Sequence, residues 1–197
     1  MKIQPGGQIP VVIIDGVTYG QSNDILWALE EGFETTHKSL KPPKEQAETA
    51  QRYFRLERQL FSAWMYWLTG NGGERAKRDF VQVLQDVERA LSKSSGPFFL
   101  GNDITQVDVM FSSFLERMAA SLLYFKGFMM RVPPGVKTDY PNLNKWFDAM
   151  ETLPSYQLTQ SDYYTHCWDL PPQVSSESKC TRRPCGSKVR HSHQIVS

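Results

Sequence analysis

Apolar residues near the start of the chain form short runs separated by polar turns, a pattern that predicts two strands followed by a helix. Residues 8–14 are mostly Ile and Val, so we expect a buried strand there. Asp15 and Gly16 form a strong hairpin-turn signal, and residues 17–19 are the expected returning strand. Ser22 then stands where a helix begins, and its hydroxyl is the type of group that caps a helix N-terminus.

From residue 44 onward the apolar positions recur at helical spacing, which predicts an all-α region. Thr105 and Asp108 have the spacing of a capping box, in which each side chain accepts a hydrogen bond from the other residue's backbone N–H. Because the helix that starts there is almost wholly apolar through Leu115, we expect it to be central and buried. The expected helices cover about 44–68, 74–93, Thr105 through Leu115, 119–130, 141–153 and 155–168.

The remaining segments suggest where the domains begin and end. Residues 33–43 are polar and end in two prolines, which indicates a linker. Residues 175–197 are Ser-rich and basic and lack periodicity, which is typical of disorder. We therefore expect a half-domain at 1–32, a linker at 33–43, an all-α domain at 44–174 and a disordered basic tail at 175–197.

Charge is distributed unevenly along the chain. The formal net charge of the 197 residues is +1. The tail at 175–197 holds five Lys or Arg and one Glu, so it carries +4 and leaves the rest of the chain at −3. Such a weak overall charge gives no expectation of a nucleic acid or membrane partner.

The three cysteines stand near the C-terminus, at Cys167, Cys180 and Cys185. An odd number of cysteines is not a disulfide framework, and it fits a reducing compartment. The expected localisation is the cytoplasm, with an organelle left open if an N-terminal segment is missing. Cys180 and Cys185 precede two histidines without zinc-ligand spacing, so no metal site is expected. Cys167 is expected to be an inert buried thiol rather than a nucleophile.

Three motifs in this order resemble the glutathione transferase family: "QIPVVIIDGVTYGQSNDIL", "FLGNDITQVDVMF" and "YPNLNKWFDAM". The resemblance runs from Gln8 to Trp168. It implies a mostly α fold, in which a partial thioredoxin-like α/β half-domain precedes the all-α C-terminal helical domain of that family. It also implies glutathione as substrate, a small electrophilic second substrate, a role in detoxification and a homodimer.

The resemblance further implies a set of glutathione-binding residues near the chain start. Ser22 would bind the γ-glutamyl carboxylate at a helix N-terminus, where unpaired N–H groups favour an anion; the alternative is that Ser22 is only a cap. Pro10 would be a cis-proline, the alternative being an ordinary trans proline at a strand start. The full set is Gln8, which would reach the glycine end, Ile9, whose backbone would pair with the cysteinyl part, Pro10, Gln21 and Ser22.

No catalytic residue is assigned. In the family the Tyr, Ser or Cys that holds the glutathione sulfur as a thiolate follows a strand that precedes the stretch beginning at Gln8. Residues 1–7 contain none of these residue types, so the chain is expected to begin within the thioredoxin-like domain. Tyr19 is expected to pack, and most of the aromatic stretch "FSAWMYWL" is expected to be core rather than substrate pocket. Two functions stay open: a glutathione transferase-like enzyme, or a non-catalytic dimerisation or protein-interaction module.

Overall fold

The computed structural model describes residues 10–33, 35–70 and 73–168, without the side chains of Cys167 and Trp168. Over these ranges a two-stranded hairpin and a short helix precede six further α-helices. A 3₁₀ turn at Lys44–Gln46 leads into the second helix. The elements are β1 Val12–Ile14, β2 Val17–Tyr19, α1 Ser22–Gly32, α2 Ala47–Thr69, α3 Gly73–Ser92, α4 Gln106–Lys126, α5 Pro141–Glu151, α6 Pro154–Thr159 and α7 Tyr163–Trp168. The predicted basic tail lies outside the described residues.

The hairpin has the turn that its sequence predicts. β1 and β2 pair antiparallel, with Ile14 opposite Val17. Asp15 and Gly16 have φ values of 49° and 80°, the two positive angles that a type I′ turn requires. The expected burial of the first strand is wrong, because Ile13 is 53% exposed and residues 11, 12 and 14 are only partly buried. Within the described residues the sheet has two strands, so it cannot enclose the apolar side chains on either face.

The core lies among the helices. α3 and α4 pack against α2, and α5 packs against α3. Trp64 and Trp67 of α2 are buried, whereas Tyr66 is 59% exposed, so the aromatic stretch divides between core and surface. The most deeply buried large side chains come from several helices and from the loops between them: Trp64, Trp146, Phe80, Phe99, Phe111, Phe147, Leu60, Leu84, Leu115, Met118, Leu122 and Met130.

The central helix α4 is longer than the sequence pattern predicts. It runs without a break from Gln106 to Lys126, whereas the pattern placed a separate helix at 119–130. Gly127 ends it in the left-handed region with φ 64°, and the Phe128 N–H donates to the Leu122 carbonyl. Before Gly127 the helix contains no Gly or Pro that would interrupt it. As expected it is the buried helix, with five hydrophobic side chains at most 1% exposed: Val107, Phe111, Leu115, Met118 and Leu122.

The last predicted helix, at 155–168, is two helices in the structure. α6 ends at Thr159, and Gln160 has an extended backbone. Asp162 accepts hydrogen bonds from the backbone and the hydroxyl of Thr165, each at 2.9 Å, and thereby caps the start of α7. The sequence between Ser155 and Trp168 contains no Gly or Pro that would mark this break.

Asp108 joins three segments of the helical region. Thr105 and Asp108 form a capping box at the start of α4, and the Thr105 N–H donates to Asp108 Oδ2 at 2.9 Å. Asp108 Oδ1 accepts hydrogen bonds from the Phe99 N–H and from Trp146 Nε1, both at 3.0 Å. Burial raises the pKa of Asp108, while these donors act in the opposite direction. The carboxylate therefore ties the loop before α4, the first turn of α4 and helix α5 together.

Replacing Asp108 by Ala should destabilise the protein more than the loss of an exposed cap, which costs about 0.5–2 kcal/mol. The substitution leaves the Phe99 N–H and the Trp146 Nε1–H buried without an acceptor, and each such group costs about 1–3 kcal/mol. We expect a loss of at least about 3 kcal/mol in the free energy of unfolding, measured by urea denaturation. Asp103→Ala is the control, because Asp103 lies in the same loop with its side chain 71% exposed. An equal, small loss in both variants would contradict this role of Asp108.

Native-state hydrogen exchange should separate the hairpin from the helices. A two-stranded hairpin is marginal in water, and an exposed apolar edge favours pairing with another chain. Backbone amides at 11–14 should therefore exchange quickly, while those at 111–115 in α4 exchange slowly. Equal, strong protection of both segments in a dilute monomer would contradict the expected instability of the hairpin.

Candidate functional site

Two of the predicted glutathione-binding residues, Gln21 and Ser22, lie together at the N-terminus of α1. Gln21 is the N-cap, with φ −117° and ψ 134°, and its side chain makes no capping hydrogen bond. Ser22 is the first residue of the helix, so the expectation that Ser22 is the cap is wrong by one position. The reason is that the Ile25 N–H already donates to the Gln21 carbonyl, which includes Ser22 in the first turn. Both side chains are exposed.

This helix end offers a site for a carboxylate. The first N–H groups of a helix lack partners within the helix, and its N-terminal end carries a partial positive charge. The Ser22 hydroxyl contacts Asn23 Oδ1 at 3.5 Å, a weak interaction that leaves the hydroxyl able to turn toward a ligand. Asp24 lies in the same first turn, and its negative charge opposes an anion. The arrangement therefore suits a ligand that brings both a carboxylate and an ammonium group.

The other predicted site residues are only partly described. Pro10 is exposed and precedes β1. Gln8 and Ile9 lie outside the described residues, and so does the side chain of Cys167. Tyr19 ends β2 and is half-buried, in keeping with a packing role.

A cavity of about 130 Å³ lies beside this helix end, between α1, α2 and α4. Trp27 and Phe54 pack edge to face with ring centroids 6.5 Å apart. The Gln106 side-chain amide donates to the Leu26 carbonyl at 3.3 Å, while Gln106 Oε1 is buried without a hydrogen-bond partner among the described residues. The cavity is lined by Asn23, Leu26, Trp27, Gln51, Phe54, Gln106 and Met110. The sequence pattern did not predict these lining residues, because they come from three segments that are distant along the chain. The one local signal concerns Gln106, which follows the Thr105 cap and is therefore the first residue of α4.

Glu30 fixes the predicted linker to α1. Its carboxylate accepts hydrogen bonds from the Ser39 hydroxyl at 2.7 Å and the Leu40 N–H at 2.8 Å, and it lies 3.2 Å from the ring of His37. Burial by itself would raise the pKa of Glu30, but these hydrogen bonds outweigh it and lower the pKa. The Leu40 carbonyl in turn accepts the Gln106 N–H at 2.8 Å. The linker is thus hydrogen-bonded to α1 on one side and to the start of α4 on the other. These bonds position α1 next to the small cavity.

Part of the aromatic stretch lies near the surface between α2 and α4. Phe61 and Phe114 pack edge to face with centroids 4.9 Å apart, and both are partly buried. The Arg58 guanidinium lies over both rings, at 4.9 and 5.1 Å, and pairs with the buried carboxylate of Glu57. These residues form a side wall of the helical core rather than an enclosed substrate pocket.

Two further properties concern the part of the chain that the structure describes. None of its helices combines the length and the apolar character that crossing a membrane requires. It also contains no group of three His, Cys, Asp or Glu side chains arranged to hold a metal ion.

Comparison with known proteins identifies the helical part. The family model of the glutathione S-transferase C-terminal domain matches residues 71–149. The chain is 30% identical over 127 residues to glutathione S-transferase DHAR2 of Arabidopsis thaliana, which covers 64% of this chain and 55% of that protein. It is 26% identical over 164 residues to glutathione S-transferase L1 of the same plant, covering 82% of this chain and 64% of that protein. The chain thus spans between about half and two thirds of the length of these relatives.

Solved structures share the fold. The dehydroascorbate reductase of Chlamydomonas reinhardtii superimposes with a TM-score of 0.67 at 20% identity, over 86% of this chain and 74% of that one. TDR1 of Leishmania, a trimeric glutathione transferase, superimposes with a TM-score of 0.70 at 22% identity, over 87% of this chain and 38% of that one. Hence a small thioredoxin-like part followed by the helical C-terminal domain is the fold of this chain. The helical part of the chain thus matches the glutathione S-transferase C-terminal domain, and the chain is similar in sequence and in fold to members of the glutathione transferase family.

Proposed function

We propose that the chain is a glutathione transferase-like protein that binds glutathione at the N-terminus of α1. The observation that carries this proposal is the exposed helix end, whose cap residue Gln21 leaves the first turn without a side-chain partner. Ser22 would hold the γ-glutamyl carboxylate with its hydroxyl and N–H, and Asp24 would attract the neighbouring ammonium group. The remaining contacts of glutathione would come from Gln8, Ile9 and Pro10, as the family resemblance implies.

The small cavity beside α1 supports the same placement. Gln106 Oε1 is a buried acceptor without a partner among the described residues, and such an acceptor is costly unless a ligand or water donates to it. The peptide N–H groups of glutathione are donors of the right kind. A small electrophilic substrate would then lie against the apolar part of the same wall, Trp27 and Phe54.

Binding does not by itself provide catalysis. A free thiol has a pKa of about 8.5, so conjugation near neutral pH needs a donor that stabilises the thiolate. Tyr19 is half-buried on β2 and its hydroxyl is not placed for this role by any contact of the described residues. We therefore propose that the 197-residue chain binds glutathione but conjugates it poorly.

Glutathione binding should depend on Ser22. Isothermal titration with reduced glutathione should show at least about a fivefold loss of affinity in Ser22→Ala, because one charge-assisted hydrogen bond is removed. Ser62→Ala is the matched control, since Ser62 is an exposed helical serine that bonds to the Arg58 carbonyl in α2. In the same preparation, conjugation of 1-chloro-2,4-dinitrobenzene should not exceed the uncatalysed rate. Equal loss in both variants would contradict the binding site, and rapid conjugation would contradict the catalytic part of the proposal.

A non-catalytic interaction module is the second candidate. Among the described residues the buried core cluster begins at Ala50 and draws no side chain from the hairpin or from α1. The helical region, which we propose as a domain from 44 to 174, therefore has a core of its own. Such a domain can persist as a binding or dimerisation unit in the cytoplasm whether or not the N-terminal half binds glutathione.

Sedimentation velocity tests whether the chain dimerises through the surface of α2 on which Tyr66 is exposed. If the chain forms a homodimer through the α2 surface, it should sediment as a dimer, and Tyr66→Arg should convert it to a monomer. Leu158→Arg is the control, because Leu158 of α6 is the more exposed apolar side chain, at 87% against 59% for Tyr66. A wild-type monomer, or the same effect from both variants, would contradict an interface at this surface.

A further inference from the structure

A larger cavity lies toward the opposite end of α4, where residues of α4, α5 and α7 meet. Its volume is about 700 Å³, which is room for a few side chains and not for a folded partner. The first turn of α4 contacts α1 through Gln106, whereas the α4 part of this cavity begins at Glu116. About 15 Å of helix separates these two positions. The cavity is therefore separate from the proposed glutathione site.

The accessible part of the cavity wall is apolar. Leu123 of α4 is 37% exposed, and Met129 in the loop after α4 is 51% exposed. Pro133 and Pro134 are exposed in the same wall, and Tyr163 of α7 is 37% exposed. We call these five residues the apolar wall. Apolar surface that lines a concave site favours an occupant that removes it from water.

The loop that carries the two prolines is held in place. The Asn144 side-chain amide donates to the carbonyls of Met130 and Tyr140, at 3.1 and 2.8 Å. Its oxygen accepts the Val132 N–H at 2.9 Å. Met130 is fully buried. This side of the cavity is consequently preformed, which lowers the cost of ordering it around an occupant.

The chain leaves α7 at the edge of this cavity. His166 lines the cavity, and α7 ends shortly after it, at Trp168. The two residues are about 3 Å apart along the helix axis. Segment 169–174, with the sequence "DLPPQV", follows directly and spans at most about 20 Å when extended. The segment therefore starts within reach of the apolar wall.

Segment 169–174 has a composition that suits such a wall. Leu170 and Val174 are apolar, and Pro171 and Pro172 between them favour the polyproline II conformation. Proline-rich segments bind in grooves lined by aromatic and apolar side chains. Because the prolines already restrict the backbone, such a segment loses less conformational entropy on binding than an ordinary one.

Charge complementarity favours the same occupant. Apart from His166, the cavity residues that carry charge at neutral pH are four acids and one arginine: Glu116, Asp148, Glu151, Asp162 and Arg131. Asp148 and Asp162 are exposed. The tail that follows segment 169–174 is basic from Lys179 onward, and the chain from Trp168 to Lys179 spans at most about 35 Å. The basic residues can thus lie near these exposed carboxylates while the segment occupies the cavity.

We propose that segment 169–174 of the same chain occupies this cavity, with Leu170 and Val174 against the apolar wall. A connected segment acts at an effective concentration in the millimolar range, so it outcompetes the same segment of a second molecule at ordinary protein concentrations. The docked segment also fixes the end of α7, which with six residues is too short to be stable by itself. The cavity is then closed to small molecules unless the segment leaves it.

Methyl NMR spectroscopy of the full chain tests the contact directly. Nuclear Overhauser effects should connect the methyl groups of Leu170 and Val174 with those of Leu123 and Met129. A mixture of isotope-labelled and unlabelled chains should show no such effects between molecules. Effects between molecules would assign the cavity to a second copy of the chain. That result, or the absence of any effect between the segment and the apolar wall, would overturn the proposal.

Substitutions on both sides of the contact test it through the mobility of the Val174 amide. Its NMR order parameter should be about 0.8 in the wild type and below about 0.6 in Leu170→Asp and in Leu123→Asp. The matched controls are Ile195→Asp, further along the tail, and Leu158→Asp, which lies on α6 outside the cavity and is 87% exposed. Both controls should keep the wild-type value. A mobile Val174 amide in the wild type, or equal effects of test and control variants, would overturn the proposal.

Thermal unfolding checks that each variant is folded before its order parameters are compared. Leu123 belongs to α4, so its replacement by Asp carries a risk to folding that the replacement in the segment does not share. If Leu123→Asp does not fold, Leu170→Asp and its control Ile195→Asp decide the outcome. An unchanged order parameter of the Val174 amide in Leu170→Asp would then overturn the proposal.

Discussion

The helical domain depends on one buried carboxylate. Asp108 stands at the third position of α4, and its two oxygens accept hydrogen bonds from segments that are far apart in the sequence. A buried carboxylate is stable only when enough donors surround it, so the Thr105, Phe99 and Trp146 groups and the carboxylate require one another. The start of α4, the loop before it and α5 are therefore fixed as a unit.

The position of this unit determines where the proposed glutathione site lies. The start of α4 places Gln106 against the Leu40 carbonyl and the Leu26 carbonyl, and so sets the linker and α1 next to the small cavity. Glutathione binding is thus proposed next to the first turn of α4.

Local chemistry explains which features the sequence could predict. The Asp15-Gly16 turn and the Thr105–Asp108 capping box depend on residues within a few positions of each other, and both are found in the structure. The Ser22 cap was misplaced by one residue, since helix starts are set by backbone geometry as well as by side-chain type. The break between α6 and α7 was missed for the same reason. Contacts between distant segments could not be predicted from the sequence pattern. No periodicity indicates that Trp146 donates to Asp108, that Glu30 accepts the Leu40 N–H, or that Glu116 lines a cavity.

A double-mutant cycle between Asp108 and Trp146 tests the central claim most directly. Asp108→Ala, Trp146→Phe and the double variant are compared with the wild type by urea denaturation, which cancels the packing cost that Trp146→Phe carries by itself. A hydrogen bond from Nε1 to a buried charged acceptor predicts a coupling energy of about 1.5–3 kcal/mol. Additive effects, within about 0.3–0.5 kcal/mol, would show that Asp108 does not hold α5 to the start of α4 and would contradict the account.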